Sequence, residues 1–337
     1  MSRILTHKTL QWIGFSLLAV VLVAVAGCSP AGGTQTPAPS GNYPNAELLV
    51  TTEWLNQNLE ADNVRIIDMR DPQAYESGHI PGAVNVPVND VTSTVEGVPF
   101  EFDQQETQAA LNRIGLQPDM TAVIYDDLGM MNSGRLFWTL EYSGHEDVRV
   151  LNGGWNAWVA EGLEITDRIP VVAPTDYPIE LVESRIVSAE QVLERLDDPQ
   201  VTIVDARSPQ EYTGEVKLAA RGGHIPGAVN LVWLDVLAGG DTVYTIEDDW
   251  QQELQDEDVE RFMPGADIQV QLQALDIQPE DQVIVYCQTM WRGAHTYFLL
   301  RLMGFEDVRG YDGSWVEWGN RDDLPVVTGP QPQAQGG

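Results

Sequence analysis

The same unit is written twice in this chain. Ile66-Ile67-Asp68-Met69-Arg70-Asp71-Pro72-Gln73-Ala74-Tyr75 recurs as Ile203-Val204-Asp205-Ala206-Arg207-Ser208-Pro209-Gln210-Glu211-Tyr212. Gly78-His79-Ile80-Pro81-Gly82-Ala83-Val84-Asn85 recurs as Gly223-His224-Ile225-Pro226-Gly227-Ala228-Val229-Asn230. Later, Glu146-Asp147-Val148-Arg149-Val150-Leu151-Asn152-Gly153-Gly154-Trp155 matches Glu306-Asp307-Val308-Arg309-Gly310-Tyr311-Asp312-Gly313-Ser314-Trp315. A period this long makes duplicated domains, not a solenoid. The 337 residues have room for two.

Each copy alternates short β-branched runs with longer helical stretches. In the second copy, strands are expected at Val201–Asp205, Ala228–Leu231, Val283–Tyr286 and Val308–Tyr311. Its helices include Ser188–Leu196, Ile268–Leu275 and Ala294–Met303. The pattern predicts an α/β fold of two tandem domains, each a mostly parallel sheet with helices on both faces. Such sheets bind ligands beyond the carboxyl ends of their strands. Cys287 follows the third of these strands and Arg207 the first, so both are expected to line one crevice.

Cys287 opens the segment Cys287-Gln288-Thr289-Met290-Trp291-Arg292-Gly293-Ala294 at a strand-to-helix turn. Backbone N–H groups of the loop and first helical turn can all point at the thiol. A free cysteine has a pKa of about 8.5, and such a setting stabilises its thiolate and any anion bound to it. Buried cysteine also packs as a small hydrophobe; the loop position favours the reactive role. Arg292 supplies a guanidinium for the thiolate and for a donor's anionic oxygens, or else pairs with a nearby carboxylate on the surface. Gln288 and Thr289 contribute N–H groups, and Met290 and Trp291 are grouped with them as substrate-binding. Trp291 either walls the pocket or packs on the first copy. Asp205 is expected to orient its turn. His295 reads as a packed helix-face histidine, and His79 and His224 as structural turn residues. No clustered ligands point to a metal, and no cofactor is expected.

A formal charge of −33 argues against nucleic-acid partners and against adhesion to anionic lipid. Arg3, Lys8, the apolar run Trp12 to Ala26 and the small residues before Cys28 read as a targeting segment. Val25-Ala26-Gly27-Cys28 resembles the lipobox of bacterial lipoprotein signal peptides. That resemblance implies cleavage before Cys28, lipidation of Cys28, and export to the cell envelope with the body on the non-cytoplasmic side of a membrane. An uncleaved anchor helix is the alternative. The expected organisation is a signal peptide at 1–27, a flexible tether at 28–44, a first domain at 45–168, a linker at 169–185, a second domain at 186–328 and a disordered tail at 329–337. A monomer is expected. An acidic stretch from Asp235 to Asp267 has no counterpart in the first copy; it covers the cleft or is inert decoration.

The Asp-x-Arg turns, the Gly-His-Ile-Pro-Gly-Ala-x-Asn segments, the strand ending in Cys287 and the closing Tyr311-Asp312-Gly313-Ser314-Trp315-Val316-Glu317-Trp318 resemble the two-domain sulfurtransferases of the rhodanese family, from Asn45 to Val327. The resemblance implies transfer of sulfane sulfur through a persulfide on Cys287, from a small donor such as thiosulfate to a thiol or cyanide. It implies donor contact by Arg207 and activity in the second copy alone; Arg70 holds the same place in the first copy, which points to a structural part for Arg207 as well, an ion pair with a local acid. In this sequence, aligning Val123-Ile124-Tyr125 with Ile284-Val285-Tyr286 sets Asp126 where Cys287 stands. A carboxylate cannot carry a persulfide, so the first copy is expected to be catalytically inactive.

Gln288-Thr289-Met290-Trp291 matches neither the basic loop of thiosulfate-specific members nor the Gly-Ser-Gly loop of mercaptopyruvate-specific ones. Thr213 stands where the latter carry a second arginine, which leans toward thiosulfate. 3-Mercaptopyruvate sulfur transfer is the alternative, as is a non-enzymatic sulfane-sulfur carrier or redox sensor. A cysteine-loop phosphatase or arsenate reductase needs five residues between cysteine and arginine. Only four lie between Cys287 and Arg292.

Overall fold

The computed structural model describes residues 41–95, 97–238 and 260–330. The signal segment, Cys28, most of the tether, residues 239–259 of the acidic stretch and the tail from 331 lie outside them. Twelve strands are described: β1 (Leu49–Val50), β2 (Val64–Asp68), β3 (Val84–Asn85), β4 (Thr92–Val95), β5 (Val98–Phe102), β6 (Thr121–Tyr125), β7 (Val148–Leu151), β8 (Ile186–Val187), β9 (Val201–Asp205), β10 (Val229–Asn230), β11 (Gln282–Tyr286) and β12 (Val308–Tyr311).

Each copy makes a five-stranded parallel sheet, in the order β1-β7-β6-β2-β3 and, for the second copy, β8-β12-β11-β9-β10. The two orders are the same order, so the written repeat is a folded repeat. Val283 to Tyr286 are fully buried, as a central parallel strand covered on both faces requires. Each such apolar side chain contributes about 1.5–3 kcal/mol. Tyr286 lies opposite Asp205, so β11 and β9 end together and their following loops meet at one edge.

The second-copy strands fall within a residue or two of expectation, whereas the helix expected from Ala294 begins at Trp291. Gly293, a weak helix former, lies in its first turn. The chain turns sharply at Met290, whose φ of 60° is left-handed, and enters the helix at once. The antiparallel hairpin β4–β5 was not anticipated.

One apolar cluster runs through both copies, while each copy keeps a private cluster behind its sheet. The helices Met131–Tyr142 and Trp291–Leu302 cross at the centre of the shared cluster. Their contact is close because residue 134 is glycine: a Cβ there would sit 2.8 Å from the Cα of His295 and 3.1 Å from the carbonyl oxygen of Ala294. Around the crossing, Arg135 pairs with Asp312 at 2.6 Å, the Trp138 indole donates to the Arg185 carbonyl, and the Tyr297 hydroxyl donates to Glu141. The helix that follows Cys287 is therefore braced by the first copy.

The flanks of the acidic stretch pack over the first copy. Leu237 bridges to Phe262, and Leu237 and Trp233 lie against Gly129.

Candidate active site

Beneath the loops, each copy holds the same buried ion pair. Arg207 forks onto Asp205 through Nε (2.9 and 3.1 Å) and Nη2 (2.5 Å), and Nη2 also donates to the Gly223 carbonyl at 2.7 Å. The Tyr286 hydroxyl donates to Asp205 at 2.6 Å, and the guanidinium lies 4.4 Å from the Trp315 ring centre. Arg70 repeats this on Asp68, Gly78, Tyr125 and Trp155. Arg207 is 1% exposed. The ion pair with a local acid is thus formed: the fork of Arg207 is held by Asp205 and a backbone carbonyl, and its face is covered by an indole. Asp205 does orient the turn, accepting the N–H of Arg207.

The two loops above these pairs differ. In the first copy, five residues separate Tyr125 from the helix at Met131; in the second, four separate Tyr286 from the helix at Trp291. The Asp126 carboxylate fills its own loop, accepting from the N–H groups of Leu128, Met130 and Ser133. In the second copy, the N–H of Met290 goes to Ser314 Oγ at 3.0 Å, and that of Cys287 to the same oxygen at 3.4 Å. The N–H groups of Gln288, Thr289, Trp291, Arg292 and Gly293 meet no acceptor among the described residues. A helix N-terminus with this many free donors attracts negative charge.

Cys287 is 1% exposed and belongs to the shared apolar cluster. The open crevice expected from the sequence is thus closed over it. The Trp291 ring stacks on Phe100 of β5, with centroids 5.0 Å apart, which settles its packing against the first copy. Phe100 has a φ of 64°, an uncommon value for a bulky residue. The Met290 side chain is fully buried, and its N–H meets Ser314 Oγ. Gln288 donates its amide to the Leu218 carbonyl at 3.0 Å. Thr289 is half-buried on the loop. A cleft of about 550 Å³ lies between β5 and the ends of β8 and β12, lined among others by Phe102, Tyr142, Gln191 and Asp312; Cys287 does not line it.

Arg292 meets Glu211 in a two-pronged ion pair, Nη1 to Oε2 at 2.6 Å and Nη2 to Oε1 at 2.9 Å. Burial opposes the Arg292 charge, but Glu211 and, less strongly, Cys287 outweigh it and hold its pKa above the ordinary value. Burial likewise opposes the Glu211 charge, yet Arg292 holds that carboxyl down to about 2. Of the two roles open to Arg292 in the sequence, the carboxylate pair is formed, but at the loop rather than on open surface. Glu211 and Ser314 escaped the sequence reading. Their signals were the differences between copies: Ala74 and Gly154 stand at the matching places.

His295 is a packed histidine, fully buried between Trp233 and Phe262. Burial pushes it down to about 3 from 6.5. The unfolded chain therefore takes up this proton below pH 6.5 while the folded chain does not. Its contribution to stability is full above pH 6.5 and falls as pH drops toward 3. The slope reaches at most about 1.4 kcal/mol per pH unit. In urea unfolding across this range, His295→Leu is expected to remove that component, flattening the acid limb. His79 and His224 stack on Tyr75 and Tyr212 as structural turn residues.

Comparison with known proteins agrees with this geometry. The family model for the rhodanese-like domain matches residues 51–161 and again 188–321. The chain is 34% identical over 290 residues to a thiosulfate sulfurtransferase of Azotobacter vinelandii, covering 85% of this chain and 98% of the relative. It is 32% identical over 304 residues to the sulfur carrier protein TtuD of Thermus thermophilus, covering 86% and 99%. Among solved structures, it is similar to the anaerobic ergothioneine biosynthesis enzyme of Chlorobium limicola, with a TM-score of 0.72 and 28% identity over 87% of this chain and 73% of that one.

Proposed function

Since this chain belongs to the rhodanese-like family and is a sulfurtransferase, we propose that Cys287 is the residue that carries the sulfur. The Cys287 thiolate attacks the outer sulfur of thiosulfate. The S–S bond of the donor breaks, sulfite leaves with the electron pair, and a persulfide remains on Cys287. An acceptor thiolate or cyanide then attacks the outer sulfur and releases the Cys287 thiolate. This is covalent catalysis in two half-reactions. The observation that carries the proposal is the contrast between the loops: five N–H groups without acceptors among the described residues follow Cys287, while Asp126 fills the other loop with its own carboxylate. These N–H groups are donors for the second sulfur, whose negative charge they stabilise in a water-poor site.

Because Cys287 is 1% exposed within the shared cluster, donor entry requires the packing over it to open. The first copy serves as an inactive partner that braces the catalytic helix. The finer part of this proposal is that the protein is exported and held at a membrane through lipid on Cys28, which the N-terminal pattern supports, and that it is a monomer. Partition of the full chain and of Cys28→Ser between membrane and soluble fractions checks it.

The test of function is steady-state sulfur transfer by the full chain, with thiosulfate as donor and cyanide or a dithiol as acceptor. Multiple turnovers are expected. A persulfide that forms once and does not turn over supports the carrier role suggested by the Thermus relative's name. Faster transfer from 3-mercaptopyruvate moves the donor assignment, and hydrolysis of phosphate esters without sulfur transfer overturns it.

A further inference from the structure

The pair between Glu211 and Arg292 exists in one copy only. Ala74 and Asn132 hold the matching places in the first copy, so both charges are peculiar to the loop that bears Cys287. Glu211 is 3% exposed and is fixed from its other side, since its Oε2 also accepts from the N–H and the hydroxyl of Ser208. It is held in the capping box of the helix Pro209–Thr213.

A guanidinium binds a carboxylate or a sulfonate with the same planar fork. While Glu211 holds both Nη groups, a donor's oxygens cannot take them in the same way. The carboxylate also offsets the Arg292 charge and sets a negative charge beside the guanidinium that couples to Cys287. That charge repels a donor in proportion to the donor's own charge. We infer that Glu211 is a specificity-determining residue, which occupies Arg292 and makes the Cys287 pocket favour singly charged sulfane-sulfur donors over doubly charged ones. The inference rests on Cys287 as the sulfur-accepting group.

Thiosulfate and methanethiosulfonate separate the charge from the chemistry. In both, the Cys287 thiolate attacks the outer sulfur and the S–S bond breaks. Sulfite, a dianion, leaves from the first, and methanesulfinate, a monoanion, from the second. Steady-state kinetics of the full chain with each donor, and cyanide as acceptor, are compared with those of Glu211→Gln. Glutamine keeps the length of the side chain and an oxygen for the Ser208 N–H. The KM for thiosulfate is expected to fall about tenfold and that for methanethiosulfonate about threefold, because the repulsion scales with donor charge. The kcat values are expected to stay within about twofold, since the charge acts on donor binding rather than on the bond-breaking step. Adding Arg292→Gln to Glu211→Gln should abolish the gain. Equal changes in KM for the two donors, or a fall in kcat with KM unmoved, overturn the inference and leave Glu211 a structural residue. Inactivity of the unsubstituted chain with both donors overturns the sulfur-transfer role of Cys287, and the inference with it.

Discussion

Replacing Cys287 by serine is expected to cut transfer from thiosulfate on the order of a thousandfold or more, because a hydroxyl neither ionises near neutral pH nor holds a transferable sulfur. The loss should fall on kcat rather than on folding. The side chain is small and the shape is kept, so the urea midpoint should move little. Asp126→Asn gives the control. Asp126 sits at the matching strand end but in a loop closed by its own carboxylate, and its replacement should leave turnover unchanged. Residual transfer in Cys287→Ser near the original rate would place the chemistry elsewhere.

The second large effect concerns the twin ion pairs. Arg207→Met strands the Asp205 carboxylate, which is fully buried and left with the Tyr286 hydroxyl and one backbone N–H. Breaking a buried pair from one side costs about 3–5 kcal/mol. Arg70→Met does the same to Asp68 in the first copy, and a similar loss is expected there. Denaturant midpoints of the two variants should shift by comparable amounts. Under conditions where Arg207→Met remains folded, its KM for thiosulfate should stay within about twofold of the unsubstituted value, as for a residue that makes no donor contact. A large rise in KM with a much smaller stability loss than Arg70→Met would show that Arg207 contacts donor after all.

Much of this architecture was legible in the residues. The repeat fixed two copies of one sheet order, because hydrophobic runs of strand length followed by helical stretches leave few arrangements. The position of Cys287 at the end of a buried strand was equally plain. The roles of the arginines were not. Arg207 and Arg292 both stand near strand ends, and sequence does not say which carboxylate each will find. Arg207 is two residues from Asp205, but the pair needs Gly223 and Trp315 to bury it, and these come from distant parts of the chain. Glu211 lies 81 residues from Arg292, and only the parallel pairing of β9 with β11 brings them together. The burial of Cys287 was hidden for a similar reason, since the cluster it joins draws residues from both copies. Ala74 against Glu211 and Gly154 against Ser314 mark where the surroundings of the Cys287 loop depart from those of the first copy.

The most direct measurement is the mass of the full chain after incubation with thiosulfate, followed by mapping of the modified peptide. One added sulfur atom is expected, on the peptide containing Cys287, removed by cyanide and absent from Cys287→Ser. A chain that gains no sulfur while its thiol stays free to react with a small alkylating agent would contradict the account.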